Sequence, residues 1–388
     1  QLKMSLNFLS QLSLQVHSVI SILIISLLTT YCSSNNNNKK NINSPLTVLK
    51  LNPSKNNPRN SEGDFINLKD GGILFIYSRY YGESSSDYAP AYLAGRYSYD
   101  DGKTWSNEDK IVVKNEGRMN VMSVSLLRLK TGEIALFYAK KNSEEDCTPM
   151  MRISKDEAVS WSEPISCITD KKGYFVLNND RVIQLKNGRL LMPVSLHQAP
   201  GEKWKNQGDL YCYFSDNNGK TWRSSEKVPN TTDIITQEPG LIEMKNGNIM
   251  MYIRASGGFQ QLSFSSDKGR TWSHIEPSNI PSPLSPASIE IIPETGNWLL
   301  VWNNNNGTNL EIKDKRTPLT LAISKDEGRS WEKLKNIQED MDGWYCYTAI
   351  HFVEDENILL GYCAGSQSQK THLSITNITL INKNWMNK

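Results

Sequence analysis

The eight residues "SYDDGKTW" (98–105) carry the pattern that decides the fold, because close variants of it recur along the chain. The further copies are SKDEAVSW (154–161), SDNNGKTW (215–222), SSDKGRTW (265–272) and SKDEGRSW (324–331). The common form is Ser-x-Asp-x-Gly-x-x-Trp, with Ala158 replacing Gly in the second copy and Asn217 replacing Asp in the third. In such a stretch the Ser and Asp side chains bond nearby backbone amides, Gly adopts a positive φ and Trp packs onto strands. We therefore predict five tight structural turns and assign no catalysis to their residues.

A second repeat occurs six times and consists of a short apolar run, a turn and another apolar run, which is the signature of a β-hairpin. The copies are GDFINLKDGGILFIYSR, SVSLLRLKTGEIALFYAKK, DRVIQLKNGRLLMPVSLH, GLIEMKNGNIMMYIRAS, SIEIIPETGNWLLVWNN and AIHFVEDENILLGYCAG. A unit of roughly 50–60 residues with about four short strands is one blade of a β-propeller. We therefore predict an all-β, six-bladed β-propeller over residues 46–388. The sixth unit lacks the turn motif, and we expect LTVLKL (46–51) to supply a strand that closes the ring.

The residues before the repeats differ in composition. VISILIISLL (19–28) is an apolar run too short to span a bilayer, and an Asn-rich polar stretch follows it. We predict a signal peptide over 1–32 and an Asn-rich flexible linker over 33–45. The protein is then exported and is periplasmic, outer-membrane-anchored or extracellular. Cys32 is a candidate for the lipid anchor of a bacterial lipoprotein, although the Tyr31 before it is larger than the residue that such a signal prefers.

Composition and charge exclude several classes of function. The formal net charge is +2 over 388 residues, and the sequence has no basic block with interleaved aromatic residues. We therefore predict no nucleic-acid partner. Five cysteines follow Cys32 without a CxxC pair, which predicts neither a zinc site nor a full disulfide framework. Cys346 and Cys363 either pair across one hairpin or are buried free thiols. We expect no metal and no cofactor, and the sequence leaves the oligomeric state open.

Polar residues gather at one end of the six hairpins when these are aligned on their turns. Nine residues before the turn the chain has Glu62, Ser123, Asn179, Glu238, Ala287 and Tyr347. The opposite strands end with Arg79, Lys140, His197, Arg254 and Asn303. The innermost strands of a propeller surround one axis, so these ends converge, and convergent polar groups in a concave site predict an active site. The alternative is that individual members are solvated loop residues or paired supports.

The five turns resemble the Asp boxes of sialidases, and the six-unit layout resembles the sialidase superfamily over nearly all of 46–388. QEPGLIEMKNGNIMMYIRAS (237–256) is similar to the sialidase segment in which a Glu polarises a catalytic Tyr and an Arg binds the substrate carboxylate. This likeness implies those roles for Glu238 and Arg254. KRTPLTLAISKDEGRSW (315–331) resembles the segment with a further carboxylate-binding Arg, which implies Arg316.

Two more segments extend the resemblance. CYTAIHF (346–352) is similar to the segment with the nucleophilic Tyr, which implies Tyr347, with Tyr345 as the second choice. SSSDYAPAYLAGRYSYDDGKTW (84–105) resembles the loop that carries the acid/base Asp, which implies Asp87. That role requires a carboxyl pKa raised by a dry site.

One part of the family pattern is missing. Sialidases carry their first carboxylate-binding Arg in an Arg-Ile-Pro motif, whereas this chain has PRNSEGDFINL (58–68) with Ser61 or Glu62 in the equivalent slot. Arg59 or Arg79 could supply the missing guanidinium. Alternatively, the pocket combines two arginines with the Glu62 carboxylate and prefers another acidic sugar.

Four further residues are weaker candidates for contact with sugar hydroxyls or an acyl group. Asp180 and Arg181 begin the third hairpin, His197 ends it, and Asn120 precedes the second hairpin. The alternative for Asp180 and Arg181 is an acid–base pair that holds loops.

The residue types suit a substrate with a carboxylate on its anomeric carbon. Guanidinium forks bind that carboxylate bidentately, and a Tyr stays neutral until a neighbouring Glu takes its proton. The tyrosine nucleophile of sialidases is a known exception to the two-carboxylate rule for glycosidases. The resemblance thus implies a retaining exo-α-sialidase that releases terminal sialic acid from glycoconjugates. The alternatives are a hydrolase of a different acidic sugar and a non-catalytic carbohydrate-binding propeller.

Overall fold

The computed structural model describes residues 45–353 and 357–387. These residues form 25 strands and one short helix, α1 (Lys383–Asn387), which confirms the all-β prediction. The predicted signal peptide (1–32), Cys32 and all but the last residue of the predicted linker (33–45) lie outside the described residues. Within the described ranges, no helix is both long and apolar enough to cross a membrane.

Four of the hydrogen-bonded sheets have four strands each. The first contains, in order, β2 (Asn60–Asn67), β3 (Ile73–Tyr80), β4 (Ala91–Ser98) and β5 (Lys110–Val113). The second contains β15 (Thr236–Glu243), β16 (Ile249–Ala255), β17 (Phe259–Ser265) and β18 (Glu276–Pro281). The third contains β19 (Ser288–Ile291), β20 (Trp298–Asn303), β21 (Leu319–Ser324) and β22 (Glu332–Gln338). The fourth contains β23 (Gly343–Val353), β24 (Asn357–Ser366), β25 (Thr376–Asn382) and β1 (Leu46–Leu51).

The remaining sheet has nine strands because two repeat units join in it. The second unit contributes β6 (Asn120–Arg128), β7 (Ile134–Lys141), β8 (Cys147–Ser154) and β9 (Ile165–Ser166). The third unit contributes β10 (Tyr174–Val176), β11 (Ile183–Gln184), β12 (Leu190–Gln198), β13 (Asp209–Ser215) and β14 (Arg223–Ser224). A single parallel pairing between Tyr174 and Cys147 connects the two units.

Strand β1 pairs antiparallel with β25, so the first described strand completes the sheet of the sixth hairpin, as predicted. The first strand of the first unit, β2, also contacts both β6 and β23. The arrangement of all six units as a closed propeller stays a prediction.

The recurring turns are structural, as expected. In the fourth copy Ser265 Oγ donates to Asp267 Oδ1 at 2.8 Å and accepts from the Gly269 amide at 2.8 Å, while the Thr271 amide donates to Asp267 Oδ1 at 3.0 Å. Ala158, which replaces the Gly of the second copy, has a φ of 64° and so adopts the same left-handed conformation despite its Cβ. Local side-chain bonds therefore define the turn even where glycine is absent.

The core consists of the apolar faces of neighbouring sheets packed together. Between the first two units Ile76, Leu93, Val121 and Leu136 are fully buried. Each such side chain contributes about 1.5–3 kcal/mol relative to an exposed one. The five cysteines of the described chain are free and buried, so Cys346 and Cys363 face each other across β23 and β24 as thiols.

Bulges interrupt the first strands of four units at the end where the polar residues gather. The ladder register shifts between Ser61 and Asp64, Met122 and Ser125, Gln237 and Pro239, and Cys346 and Ala349. Inside these bulges a non-glycine residue has φ between 41° and 60°: Glu62, Ser123, Glu238 and Tyr347. A bulge redirects a side chain away from the regular alternation of a strand, and such bulges concentrate next to active sites.

Candidate active site

A hydrogen-bonded cluster joins Tyr347, which is buried, to Glu238 and Arg254, whose side chains are 11% and 12% exposed. The Tyr347 hydroxyl donates to Glu238 Oε1 at 3.0 Å, and Arg254 Nη1 donates to Glu238 Oε2 at 2.7 Å. Arg254 Nη1 also lies 3.4 Å from the Tyr347 oxygen. Strands β15 and β16 bring Glu238 and Arg254 together, and the β23 bulge brings Tyr347 from 109 residues further along the chain.

The protonation states in this cluster suit proton transfer from the phenol to the carboxylate. Burial and the nearby Glu238 charge raise the pKa of Tyr347 well above its usual range, so the phenol is neutral. Burial also opposes ionisation of Glu238, but Arg254 outweighs it and holds the pKa of Glu238 below its usual value. Glu238 is therefore an ionised acceptor that lies within hydrogen-bond distance of a neutral phenol.

Arg316 adds a second guanidinium beside the phenol. Its Cζ lies 5.4 Å from the centre of the Tyr347 ring and 5.0 Å from that of Trp344. The side chain is buried, and Nη1 has no hydrogen-bond partner within the described ranges. Because an unpaired buried donor is costly, this arrangement favours an anionic ligand that supplies the missing acceptor.

Asp87 is held by Arg59, which lies just before the first hairpin. Arg59 Nη1 donates to Asp87 Oδ1 at 2.5 Å, and Nη2 donates to Glu62 Oε1 at 3.0 Å. The other Glu62 oxygen accepts a hydrogen bond from Ser123 Oγ at 2.8 Å, and burial raises the pKa of Glu62. Arg59 itself is almost fully buried, whereas the Asp87 side chain is 55% exposed.

The raised pKa that the acid/base role requires of Asp87 is not found while Asp87 is bound to Arg59. More than half of the side chain is exposed, so the partial loss of hydration that raises the pKa of its carboxyl group is outweighed by the positive charges of Arg59 and Lys141, and the net pKa lies below the usual value. Asp87 is thus an ion-paired carboxylate rather than a proton donor while it is bound to Arg59.

A cavity of about 340 Å³ collects most of the residues singled out in the sequence. Those that line it are Asp87, Glu238, Tyr347, Arg254, Arg316, Glu62, Ser123 and His197. Arg59 reaches this group through its bonds to Asp87 and Glu62. Tyr345 is not among the lining residues and packs instead in a hydrophobic core with Tyr362. The convergence of acidic, basic and phenolic groups is therefore present, while their roles stay predictions.

Two candidates lie elsewhere. Arg79 does not line the cavity; its Nε lies 2.8 Å from Asp109 Oδ2 and its Nη1 donates to the Tyr92 hydroxyl at 2.6 Å. Of the two arginines proposed for the missing guanidinium, Arg59 is thus the one that bonds Asp87 and Glu62, and its role stays a prediction. Asn120 also stays out of the cavity lining, because its amide nitrogen donates to two carbonyls of the Asp87 loop, those of Asp87 and Ala89, each at 2.8 Å.

Asp180, which is half-buried, and Arg181, which is buried, bond other parts of the protein and do not line the cavity. Asp180 accepts the Ile350 amide at 3.1 Å, and Arg181 donates to the Tyr252 hydroxyl at 3.1 Å and to the Ala287 carbonyl at 2.7 Å. These bonds tie the segment that contains Asp180 and Arg181 to strands of two other sheets. The two residues therefore have a structural role in holding neighbouring units together. Neither residue lines the cavity, so the structure does not bring them together with the other site candidates.

His197 lines the cavity but is already fully bonded. Its Nε2 lies 2.7 Å from Ser195 Oγ and its Nδ1 lies 2.7 Å from the Lys205 carbonyl. The Trp204 ring stacks on it at 4.7 Å, and burial lowers the pKa of the imidazole. The histidine is thus neutral near pH 7 and supports the indole. Nowhere in residues 45–353 and 357–387 do three or more His, Cys, Asp or Glu side chains gather as a metal site would require.

The cavity is also lined by Lys141, Tyr174 and Trp204, which the sequence did not single out. The hairpin alignment placed Lys140 at the rim, but Lys140 lines a separate cleft. Neighbouring strand residues point to opposite faces, so an error of one position exchanges the two lysines. The sequence signal that could have identified Lys141 was the presence of two adjacent lysines at the end of the second hairpin.

Comparison with known proteins agrees with this architecture. Residues 96–362 match the BNR repeat-like domain family. A sialidase of Bacteroides fragilis (strain YCH46) is 26% identical over 238 residues, which are 58% of this chain and 40% of that protein. A sialidase of Clostridium perfringens is 29% identical over 237 residues, which are 55% of this chain and 60% of that protein. The chain thus spans only part of the length of the curated relatives that it matches.

Among solved structures, a Hadza microbial sialidase superposes with a TM-score of 0.68 at 17% identity, covering 84% of this chain and 66% of that one. At this identity the superposition establishes the fold alone. The family match over most of the chain, the sialidase relatives and this shared fold agree with one another. The chain belongs to the BNR repeat-like domain family, within the sialidase superfamily.

Proposed function

We propose that this protein is a retaining exo-α-sialidase that releases terminal sialic acid from sialylated glycans. The observation that carries the proposal is the contact of 3.0 Å between the Tyr347 hydroxyl and Glu238, inside a cavity that also contains Arg254 and Arg316. The sialidases of Bacteroides fragilis and Clostridium perfringens among the relatives support the same reaction class. We also propose that the six hairpin units form a closed six-bladed propeller and that the protein is exported.

The cavity supplies the groups for both halves of the reaction. The Tyr347 oxygen attacks the anomeric carbon while its proton passes to Glu238, and Asp87 gives a proton to the departing glycosidic oxygen. Water then attacks the anomeric carbon while Asp87 takes a proton from the water, and the bond to the Tyr347 oxygen breaks. Glu238 returns its proton to the departing phenolate. Two displacements at one carbon retain the configuration.

The lowered pKa of Asp87 fits this scheme if substrate changes its pairing. Arg59 is the only guanidinium in the described chain that bonds Asp87 directly. A substrate carboxylate that binds the Arg59 fork competes with Asp87 for it. Asp87 then loses its ion pair, and its pKa rises toward the value that a proton donor needs.

A second candidate, hydrolysis of a different acidic sugar, is favoured by Glu62. This buried carboxyl lines the cavity where a purely cationic wall would suit a carboxylate best. Burial raises its pKa, while Arg59 and Ser123 each donate a hydrogen bond to one of its oxygens. Binding without turnover is the weaker alternative, since a lectin needs no phenol hydrogen-bonded to a carboxylate.

The test is release of a fluorescent aglycone from an α-sialoside, with the first-formed sugar anomer identified by proton NMR. We expect hydrolysis with the α-anomer formed first. A folded protein that leaves the α-sialoside intact but cleaves glycosides of another 2-keto acid sugar would select the second candidate. A folded protein that binds sialosides without cleaving either class would select the lectin.

A further inference from the structure

The loop that carries Asp87 has little structure of its own. It spans residues 81–90 between β3 and β4, and residues 81–88 are exposed. Its internal backbone bonds are few: the Tyr81 amide donates to the Pro90 carbonyl and the Ala89 amide donates to the Ser86 carbonyl. An exposed segment of this kind does not by itself hold a carboxyl group to the precision that proton transfer requires.

Two buried donors from neighbouring strands converge on one atom of this loop. Asn120 Nδ2 and Lys141 Nζ each donate to the main-chain carbonyl oxygen of Asp87 at 2.8 Å. Asn120 and Lys141 are direct partners in the ladder between β6 and β7. The carbonyl of Asp87 is therefore held by a fixed element of the sheet rather than by the loop.

A buried lysine costs more free energy of desolvation than a neutral donor at this position would. The side chain is 2% exposed, and in the described part of the chain it forms no ion pair with a carboxylate. Its ammonium lies 5.0 Å from the centre of the Tyr88 ring and 5.3 Å from that of Tyr174, with the Cys147 thiol nearby. A neutral side-chain amide could donate the same hydrogen bond, as Asn120 does. Burial of a charge at this place therefore points to a use for the charge itself.

We propose that Lys141 is a positioning residue for the acid/base Asp87: it fixes the Asp87 carbonyl together with Asn120 and places one positive charge beside the carboxyl group. This inference rests on the proposed function. The other charged groups that face Asp87 are Arg59, Arg316 and, through Arg59, Glu62. Arg59 bonds the Asp87 carboxyl group and, at 3.4 Å, the Ser85 carbonyl, whereas Lys141 is the charged group that bonds the main chain of Asp87 itself. Lys141 therefore couples the position of Asp87 to its proton affinity.

The test compares kcat/KM against pH for the wild type and for Lys141→Met, Lys141→Gln and Lys141→Arg. Two α-sialosides are used, one with a poor alkoxide leaving group that needs the acid and one with an activated aryl leaving group. For Lys141→Met we expect a loss of about 10- to 100-fold on the first substrate and a loss several-fold smaller on the second. The alkaline limb of the profile moves to higher pH because a cation beside the carboxyl is gone, and Lys141→Arg restores most of the loss.

Lys141→Gln separates the hydrogen bond from the charge, since it keeps a donor and removes the cation. Lys140→Met, one residue away on the outer face, is the matched control and stays near the wild type on both substrates. Equal losses on the two substrates, with an unchanged pH profile, would reduce Lys141 to a structural support and overturn the inference while the sialidase activity stands. A folded wild type that cleaves neither substrate would overturn the proposed function and, with it, this role.

Discussion

The contact between Tyr347 and Glu238 supports a double-mutant cycle. Tyr347→Phe removes the phenol oxygen but keeps the ring beside Arg316, and Glu238→Gln keeps the shape of the side chain but cannot take a proton. If Glu238 acts only through the phenol, the two losses of activity are not additive.

Magnitudes follow from the contacts. Tyr347→Phe removes one hydrogen bond to a charged group, worth about 1.5–3 kcal/mol of unfolding free energy, and Glu238 keeps Arg254 at 2.7 Å. Glu238→Gln leaves Arg254 without its carboxylate in a buried site, which costs about 3–5 kcal/mol. We therefore expect the glutamate variant to unfold at the lower temperature.

For activity, loss of the nucleophile lowers kcat/KM by on the order of 10³-fold or more, equivalent to about 4 kcal/mol of transition-state stabilisation. Loss of the base lowers it by about 10²- to 10⁴-fold. The double variant should be no less active than Tyr347→Phe alone.

The assay is release of a fluorescent aglycone from an α-sialoside, at a temperature below the unfolding transition of every variant as followed by circular dichroism. Tyr345→Phe is the matched control, because Tyr345 is two residues away but packs in the core, and its kcat/KM should stay within about threefold of the wild type. A folded Tyr347→Phe that keeps more than about a tenth of the activity would refute the nucleophile assignment. A fully additive double variant would refute the action of Glu238 through the phenol.

Three further predictions concern the arginines and stability. Arg254→Lys should lower kcat/KM by about 10- to 100-fold, since a lysine cannot bind the substrate carboxylate through two parallel hydrogen bonds as an arginine does. Arg79→Lys should stay within about twofold of the wild type because Arg79 pairs with Asp109 outside the cavity. Steady-state kinetics with the α-sialoside check both variants, and similar losses for the two would contradict the placement of Arg254 inside the cavity and Arg79 outside it. Burial and the nearby Asp180 carboxyl raise the pKa of Glu290 to about 8. The contribution of Glu290 to stability is therefore fully present below about pH 4.5 and is lost as the pH rises through about 8. Urea unfolding at several pH values should show that loss in the wild type and a smaller one in Glu290→Gln. Hydrogen bonds within its turn lower the pKa of Asp267 to about 2, so its contribution to folding stability is present above the unfolded pKa and disappears as the pH falls toward 2. Asp267→Asn should therefore have a lower melting temperature at pH 7 and lose less stability than the wild type as the solution is acidified. An unchanged melting temperature would count against a structural role for the turn.

The sequence alone determined the local structure of this protein. The turns around Ser265 and Asp267 and the six hairpins depend on residues a few positions apart, and their repetition indicated an all-β fold of repeated units. The same short segments carried the likeness that singled out Glu238, Arg254, Arg316 and Tyr347. Such features are predictable because hydrogen bonds within a turn and alternation along a strand are set by neighbours in the chain.

Only the tertiary structure decided which candidates share a site and what charge they carry. It placed Arg59 rather than Arg79 beside Asp87, and it showed Arg181 to be a buried support. It also brought Lys141 to the Asp87 loop across 54 positions of the chain. The physical reason is that a pKa or an ion pair depends on distance and burial, and both are set by residues that are remote in sequence and meet only when the sheets pack.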